Sequence, residues 1–199
     1  MPDPRLQSPA AQRNRDAILD VLRRVLPAAG TVLEIASGTG EHVAHFAAAL
    51  PGLVFQPSDP APERRASIDA WCAGLPNVLS AIDFDTTARN VTDITIDAIF
   101  CANMIHIAPW AAAEGLFSAA NRLLFAGEKL VLYGPYRVNG ADTSPGNAAF
   151  DADLRTRNPE WGIRDLEVVA KLAERSGFDA PEITQMPANN LALVFTRKA

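Results

Sequence analysis

Cysteine is scarce in this sequence: Cys72 and Cys101 are the only two in 199 residues, far apart and each inside an apolar stretch. Disulfide frameworks and zinc sites need cysteines clustered at short spacings, so reduced, mostly buried thiols are expected, and no metal. Long apolar runs are missing as well. None reaches the roughly 18 residues that cross a bilayer, which excludes a transmembrane helix. The polar start "MPDPRLQSPAAQRNRD" has no apolar core ahead of a small-residue cleavage site, so it does not resemble a secretory leader and a cytoplasmic protein is expected. Positive charge is also in deficit, with 18 Lys and Arg against 23 Asp and Glu, a net −5, and no basic tail or cluster. A phosphate-backbone binder would show such a cluster, so neither nucleic acid nor a membrane is an expected partner. Oligomeric state is left open.

What is present is a globular composition, 48% hydrophobic and 21% charged, of a length that fits one domain over residues 1–199. Ser8-Pro9 reads as an N-cap and first helical residue. Ile18, Leu22, Val25 and Leu26 then recur at helical spacing until Pro27 stops the run. The apolar run Thr31 to Ala36, a glycine turn, the helical stretch Glu41 to Leu50, the stop Pro51-Gly52 and the apolar run Leu53 to Gln56 together make a βαβ unit. Further along, a helix is expected around Glu63 to Ala73, a short strand near Asn77 to Ile82, a buried strand Ile96 to Ala102, a helix Pro109 to Phe125 and a strand Lys129 to Gly134. Such alternation means a parallel sheet covered by helices. After a helix Asp165 to Ser176, the runs Glu182 to Met186 and Leu191 to Thr196 should pair as an antiparallel hairpin across Pro187-Ala188-Asn189-Asn190.

The turn in "TVLEIASGTGEH" carries small residues where a backbone can approach a ligand closely. A dinucleotide fingerprint, G-x-G-x-x-G, needs a third small residue; that place falls on Glu41 or Val43, depending on alignment, and neither supplies it. Glu34 and Glu41 flank the turn and would oppose a pyrophosphate at the helix N-terminus, so the ligand should be neutral or cationic where it meets the turn. Asp59 lies 19 residues beyond Gly40 at the end of the second strand, where a carboxylate can accept from both ribose hydroxyls.

"LEIASGTGEH" resembles the first motif of class I S-adenosylmethionine-dependent methyltransferases, an acidic residue followed by a G-x-G-x-G turn, with Ala36 in place of the first glycine. "DAIFCANMIHIAPW" resembles the family's fourth motif, whose strand ends beside the transferable methyl group. More narrowly, "SPAAQRNRDAIL", "SGTGEH", "QPSD" and "NPEWGIRDLE" resemble the methyltransferase-like 26 group. The resemblance implies an α/β, Rossmann-like doubly wound sheet of seven strands in the order 3-2-1-4-5-7-6, with the last pair antiparallel. It implies S-adenosylmethionine as cofactor, an adenine-facing carboxylate at Asp83 (or Asp85 in the other register), and a cofactor site made of Glu34, Ala36, Ser37, Gly38, Gly40, His42, Asp59, Pro60, Asp83, Phe84, Asn103 and Met104. Arg13 and Asn14 either close over the cofactor or decorate a helix.

Methyl transfer is an in-line displacement helped chiefly by alignment in a dry pocket. His106 is the histidine placed near the expected methyl position, as a general base or as a packing residue beneath the cofactor. Tyr133 and Tyr136, in the segment that ends the fifth strand, and Trp161 are candidates to line an acceptor pocket. The 30 residues from Tyr136 to Asp165 show little periodicity and are expected to form either a lid or a solvated loop. The reading is thus a methyltransferase acting on a small molecule. Its rivals are a non-catalytic cofactor-binding protein and a nicotinamide-dependent oxidoreductase.

Overall fold

A computed structural model describes residues 3–88 and 95–199. Helix α1 (Pro9–Val25) starts where its residues dictate: the Ser8 side chain accepts from the Ala11 N–H, and Pro9 takes a position that needs no hydrogen bond of its own. Its inner face is Ile18, Leu19, Val21 and Leu22. There follow β1 (Gly30–Ile35), α2 (Glu41–Ala49), β2 (Leu53–Pro57), α3 (Pro62–Trp71), β3 (Ala98–Ala102), α4 (Trp110–Leu123) and β4 (Lys129–Pro135). The two-residue strands β5 (Arg137–Val138) and β6 (Ala141–Asp142), then α5 (Pro145–Arg157), α6 (Leu166–Arg175), β7 (Glu182–Met186) and β8 (Asn190–Thr196) complete the chain.

The chain falls into two compact units, one running through Asp85 and taking in β3 as far as Cys101, the other running from Ala102 to Ala199 with a short stretch that begins at Thr86. In the first unit β1 is the central parallel strand, paired with β2 from Gly30↔Leu53 to Glu34↔Pro57 and with β3 from Val32↔Ala98 to Ile35↔Cys101. Being flanked on both sides, β1 reads as the near-continuous apolar run that a buried parallel strand requires. In the second unit β8 pairs antiparallel with both β4 and β7, and Phe117 meets Phe178 and Phe195 edge-on at 5.9 and 5.3 Å in the core.

In sheet order the six strands are β2-β1-β3-β4-β8-β7, a Rossmann-like mixed sheet whose order matches expectation except at one edge. The seventh strand, expected over 77–82, is absent as a strand. This stretch meets the chain of β2 and the residue after it in the isolated bridges Phe55↔Val78 and Ser58↔Ile82 and not in a continuous ladder. Between the bridges, Pro57 has no N–H to give to a ladder, and the Gln56 side chain bonds the Ser80 carbonyl instead, at 2.9 Å. The 136–165 stretch also departs from expectation, for it holds the β5–β6 pair and the 13-residue α5. Its organiser is Asp151, 5% exposed, which accepts from Arg137 at 2.9 Å, Arg155 at 2.8 Å and the Ile163 N–H at 2.7 Å. Burial acts to raise the Asp151 pKa, and these donors outweigh it and hold the carboxyl low. Among the described residues no helix is long and apolar enough to cross a membrane, and no group of three or more His, Cys, Asp or Glu is placed to hold a metal.

Candidate cofactor site and the loop after β3

The buried end of β1 feeds a turn whose backbone runs through left-handed conformations at Ala36 (φ 57°), Gly38 (φ 61°) and Gly40 (φ 92°). Gly40 is obligatory on a second count, because a Cβ there would stand 2.6 Å from the Ile68 Cα of α3. Ala36 adopts a conformation that costs an alanine about 1–2 kcal/mol, at the position where the resembling family has glycine.

The turn is stitched to the end of β2. The Ser37 N–H donates to the Ser58 carbonyl at 2.8 Å, and the hydroxyls of Ser37 and Ser58 both donate to the Glu34 carbonyl. The Gly38 N–H donates to Asp59 Oδ2 at 3.1 Å, and the Gly40 N–H to the Ser37 carbonyl. Three turn amides are therefore spent inside the protein, whereas a phosphate-cradling loop aims such amides at its ligand. Asp59, 5% exposed, also accepts from the Ala61 N–H through Oδ1 at 3.0 Å. Each of its oxygens has one backbone donor and retains acceptor capacity for a hydroxyl. Burial raises its pKa against the pull of those two amides and of Arg64 and Arg65.

Glu34 is 2% exposed, and its Oε2 has no hydrogen-bond partner. Burial pushes its pKa up to about 8, opposed by the nearby Ser37 hydroxyl and reinforced by Asp59. His42 on α2 lies flat against Phe46 (5.4 Å, 8°) and edge-on to Phe100. Burial lowers its pKa to about 4, so the ring is neutral and its Nε2 lies 2.7 Å from Asn14 Oδ1. Asn14 thus ties α1 to α2, while Arg13 is exposed.

Glu41 begins α2, as its sequence pattern predicts, and it does more than carry charge beside the turn. The structure gives it a fastening role, in which its carboxylate accepts from the Ser8 N–H, Gln12 Nε2 and Thr39 Oγ1 and so pins the start of α1 to the turn. The only sequence signal for this is an acid immediately after a glycine turn. Asp83 is the weakest member of the set, with a 67% exposed side chain 3.5 Å from Arg65. Phe84 beside it is buried, and Pro60 is exposed, its carbonyl accepting from Arg65.

In the second unit, Asn103 turns the chain in a left-handed conformation (φ 59°) that asparagine tolerates. Its N–H donates to the Tyr133 carbonyl, and its carbonyl accepts from the His106 N–H, closing one short helical turn over Met104–His106. His106 is fully buried. Its Nδ1 accepts from the Arg164 N–H at 3.2 Å, its ring meets Tyr136 edge-on at 5.0 Å, and its Nε2 lacks a partner. Burial, aided by Arg164 and opposed by Asp151, lowers its pKa to about 3. A neutral imidazole accepting at Nδ1 carries its proton on Nε2. The free nitrogen is therefore a donor, and a general-base role would need the other tautomer.

Tyr133 and Tyr136 are 4% and 1% exposed, core positions rather than open pocket walls. Trp161 is half-buried, with the Arg157 guanidinium 5.2 Å over its ring.

A family model described as "Protein of unknown function (DUF938)" matches residues 5–197. Among solved structures, the S-adenosylmethionine-dependent methyltransferase SibL in its apo form aligns with TM-score 0.78 and 18% identity over 96% of this chain and 56% of its own. A putative O-methyltransferase from Nostoc punctiforme aligns with TM-score 0.79 and 16% identity over 92% and 55%. Human N-acetylserotonin methyltransferase, in complex with S-adenosylmethionine, aligns with TM-score 0.74 and 13% identity over 93% and 55%. The chain spans little more than half the length of each, and the likeness is one of fold.

Proposed function

This chain belongs to that DUF938 family, and we propose that it is an S-adenosylmethionine-dependent methyltransferase acting on a small-molecule acceptor, with residues 1–199 as one methyltransferase-like domain. The observation that carries the proposal is the β1–α2 turn. It spends the amides of Ser37, Gly38 and Gly40 internally, and it sets beneath them a buried Glu34 oxygen with no partner. A turn with three amides already bonded within the protein and a buried carboxyl suits a cationic nucleoside better than a pyrophosphate, which disfavours the nicotinamide alternative. The solved structures of similar fold, described as methyltransferases or O-methyltransferases, support the same reading. The narrower likeness to the methyltransferase-like 26 group belongs to this proposal as well.

The residues present fit the cofactor. Asp59 would accept the ribose hydroxyls, Glu34 would meet positive charge near the turn, and the His42–Asn14 pair would fix α1 over the methionine end. Ala36, Ser37, Gly38 and Gly40 would shape the turn, with Pro60, Asp83 and Phe84 toward the base. When bound, the cofactor supplies an electrophilic methyl group. His106 serves this reaction as a fixed Nε2–H donor or as the support of the 103–106 loop, since its depressed pKa leaves little basicity. Incubating the protein with methyl-labelled S-adenosylmethionine and a metabolite extract tests the proposal. Label should move into a small molecule only when protein is present; binding without transfer to any fraction would instead support a non-catalytic cofactor-binding protein.

A further inference from the structure

We infer that the site contains a proton switch: Glu34 holds a proton in the ligand-free protein and releases it to solvent when a cationic ligand enters, so that binding tightens as pH rises. The inference rests on the cofactor reading above. Its ground is the placement of one side chain. Glu34 is in β1 between Phe100 of β3 and Pro57 of β2, it is 2% exposed, and its Oε2 meets no donor. The two hydroxyls close by, Ser37 and Ser58, both donate to its backbone carbonyl.

The groups that face the side chain offer no charge to balance an ionised Glu34. Ser37 of the turn is neutral, Asp59 beyond β2 is acidic, and the Cys72 thiol after α3 is buried and pushed up to about 12 by burial, with Glu34 and Asp69 adding to the effect. No Lys, Arg or His lies within ion-pair distance of Glu34 among the described residues. Arg64 and Arg65, the nearby cations, act on Asp59. A buried carboxyl in such a place keeps its proton, which is the reason it titrates near 8. A ligand bringing a sulfonium or ammonium supplies the missing charge. The proton then leaves, and a carboxylate–cation pair replaces a neutral acid. Because the cation must displace that proton, apparent affinity should rise about fiftyfold from pH 6 to pH 8 and level off above.

Titration calorimetry with S-adenosylmethionine, in buffers of different ionisation enthalpy at pH 6, 7 and 9, counts the protons released. The wild type should release close to one at pH 6 and far less at pH 9. The cofactor's own amino group, which titrates near 8, contributes in the opposite sense at high pH. Glu34→Gln isolates that contribution, because it should bind without the Glu34 proton. A carbon-13 titration of the Glu34 carboxyl in the ligand-free wild type reads the same proton without any variant. Binding with no proton release, or a Glu34 carboxyl that titrates in the ordinary carboxylate range, overturns the switch and leaves the cofactor reading standing. Absence of binding at every pH overturns both.

Discussion

Between pH 7 and pH 5 three buried groups pull the stability of this fold in opposite directions, and Glu34→Gln should separate them. His42 and His106 are held by burial at about 4 and about 3 against an ordinary 6.5. A histidine depressed on folding contributes stability that is complete above pH 6.5 and is lost as pH falls, because the unfolded chain takes up the proton that the folded one refuses. At about 1.4 kcal/mol per pH unit, each costs the fold about 2 kcal/mol by pH 5, about 4 kcal/mol together. Glu34 is raised from 4.5 to about 8 and has the opposite sign: its contribution is complete below 4.5 and is lost as pH rises to 8. Acidification from pH 7 to 5 therefore returns about 2–3 kcal/mol. The wild type should lose only about 1 kcal/mol over this range, while Glu34→Gln, which removes the compensation, should lose about 4 kcal/mol. Asp59, also raised by burial, acts equally in both proteins and drops out of the comparison. Urea denaturation at pH 7 and pH 5 measures both differences. Equal losses in the two proteins would refute the assignment of a protonated, buried Glu34.

Other substitutions test the local geometry. Ala36→Gly should raise Tm by about 1–3 °C, since relief of the left-handed strain slightly exceeds the added freedom of the unfolded chain; a lowered Tm would show that the Ala36 methyl group does more for packing than it costs in strain. Gly134→Ala places a Cβ 2.5 Å from His106 Nε2, on a ring already held by Tyr136 and the Arg164 N–H. A destabilisation of about 1–3 kcal/mol should follow, seen as a Tm lower by several degrees, and an unchanged Tm would mean that the ring moves freely. Cys72, buried with its thiol pushed up to about 12, should resist an aromatic disulfide reagent at pH 8 until the chain unfolds. Rapid labelling of Cys72 in the native protein, located by peptide mapping to separate it from Cys101, would contradict its placement.

The sequence was most legible where local and tertiary demands agree. The run through Val32, Leu33 and Ile35 is apolar because β1 is paired on both sides, and Ser8-Pro9 marks α1 because a capping hydroxyl and a proline both suit a helix start. It was least legible where a side chain takes over a backbone role. Asn77 to Ile82 has a strand's composition, yet Pro57 and the Gln56 side chain break the ladder beside it. Helix α5 has a weak apolar face, since its centre is Asp151 bound to two arginines, although Ser144-Pro145 repeats the start signal of α1. In the candidate site, Glu34 and Asp59 announced themselves by position at strand ends. The fastening role of Glu41 depends on partners up to 33 residues away, and the tautomer of His106 on an amide 58 residues away; no local pattern carries either.

The β1–α2 turn should receive S-adenosylmethionine and not a dinucleotide, and calorimetric melting with each ligand at about one hundred times its dissociation constant for the wild type, or at the highest soluble concentration, decides between them. A ligand selective for the folded state adds about 2.7 kcal/mol under those conditions, which for a chain of this size is roughly 5–10 °C. S-adenosylmethionine should produce that shift with the wild type and a much smaller one with Asp59→Ala, and NAD should produce none with either. A shift with NAD that depends on Asp59, and none with S-adenosylmethionine, would assign the turn to a dinucleotide instead.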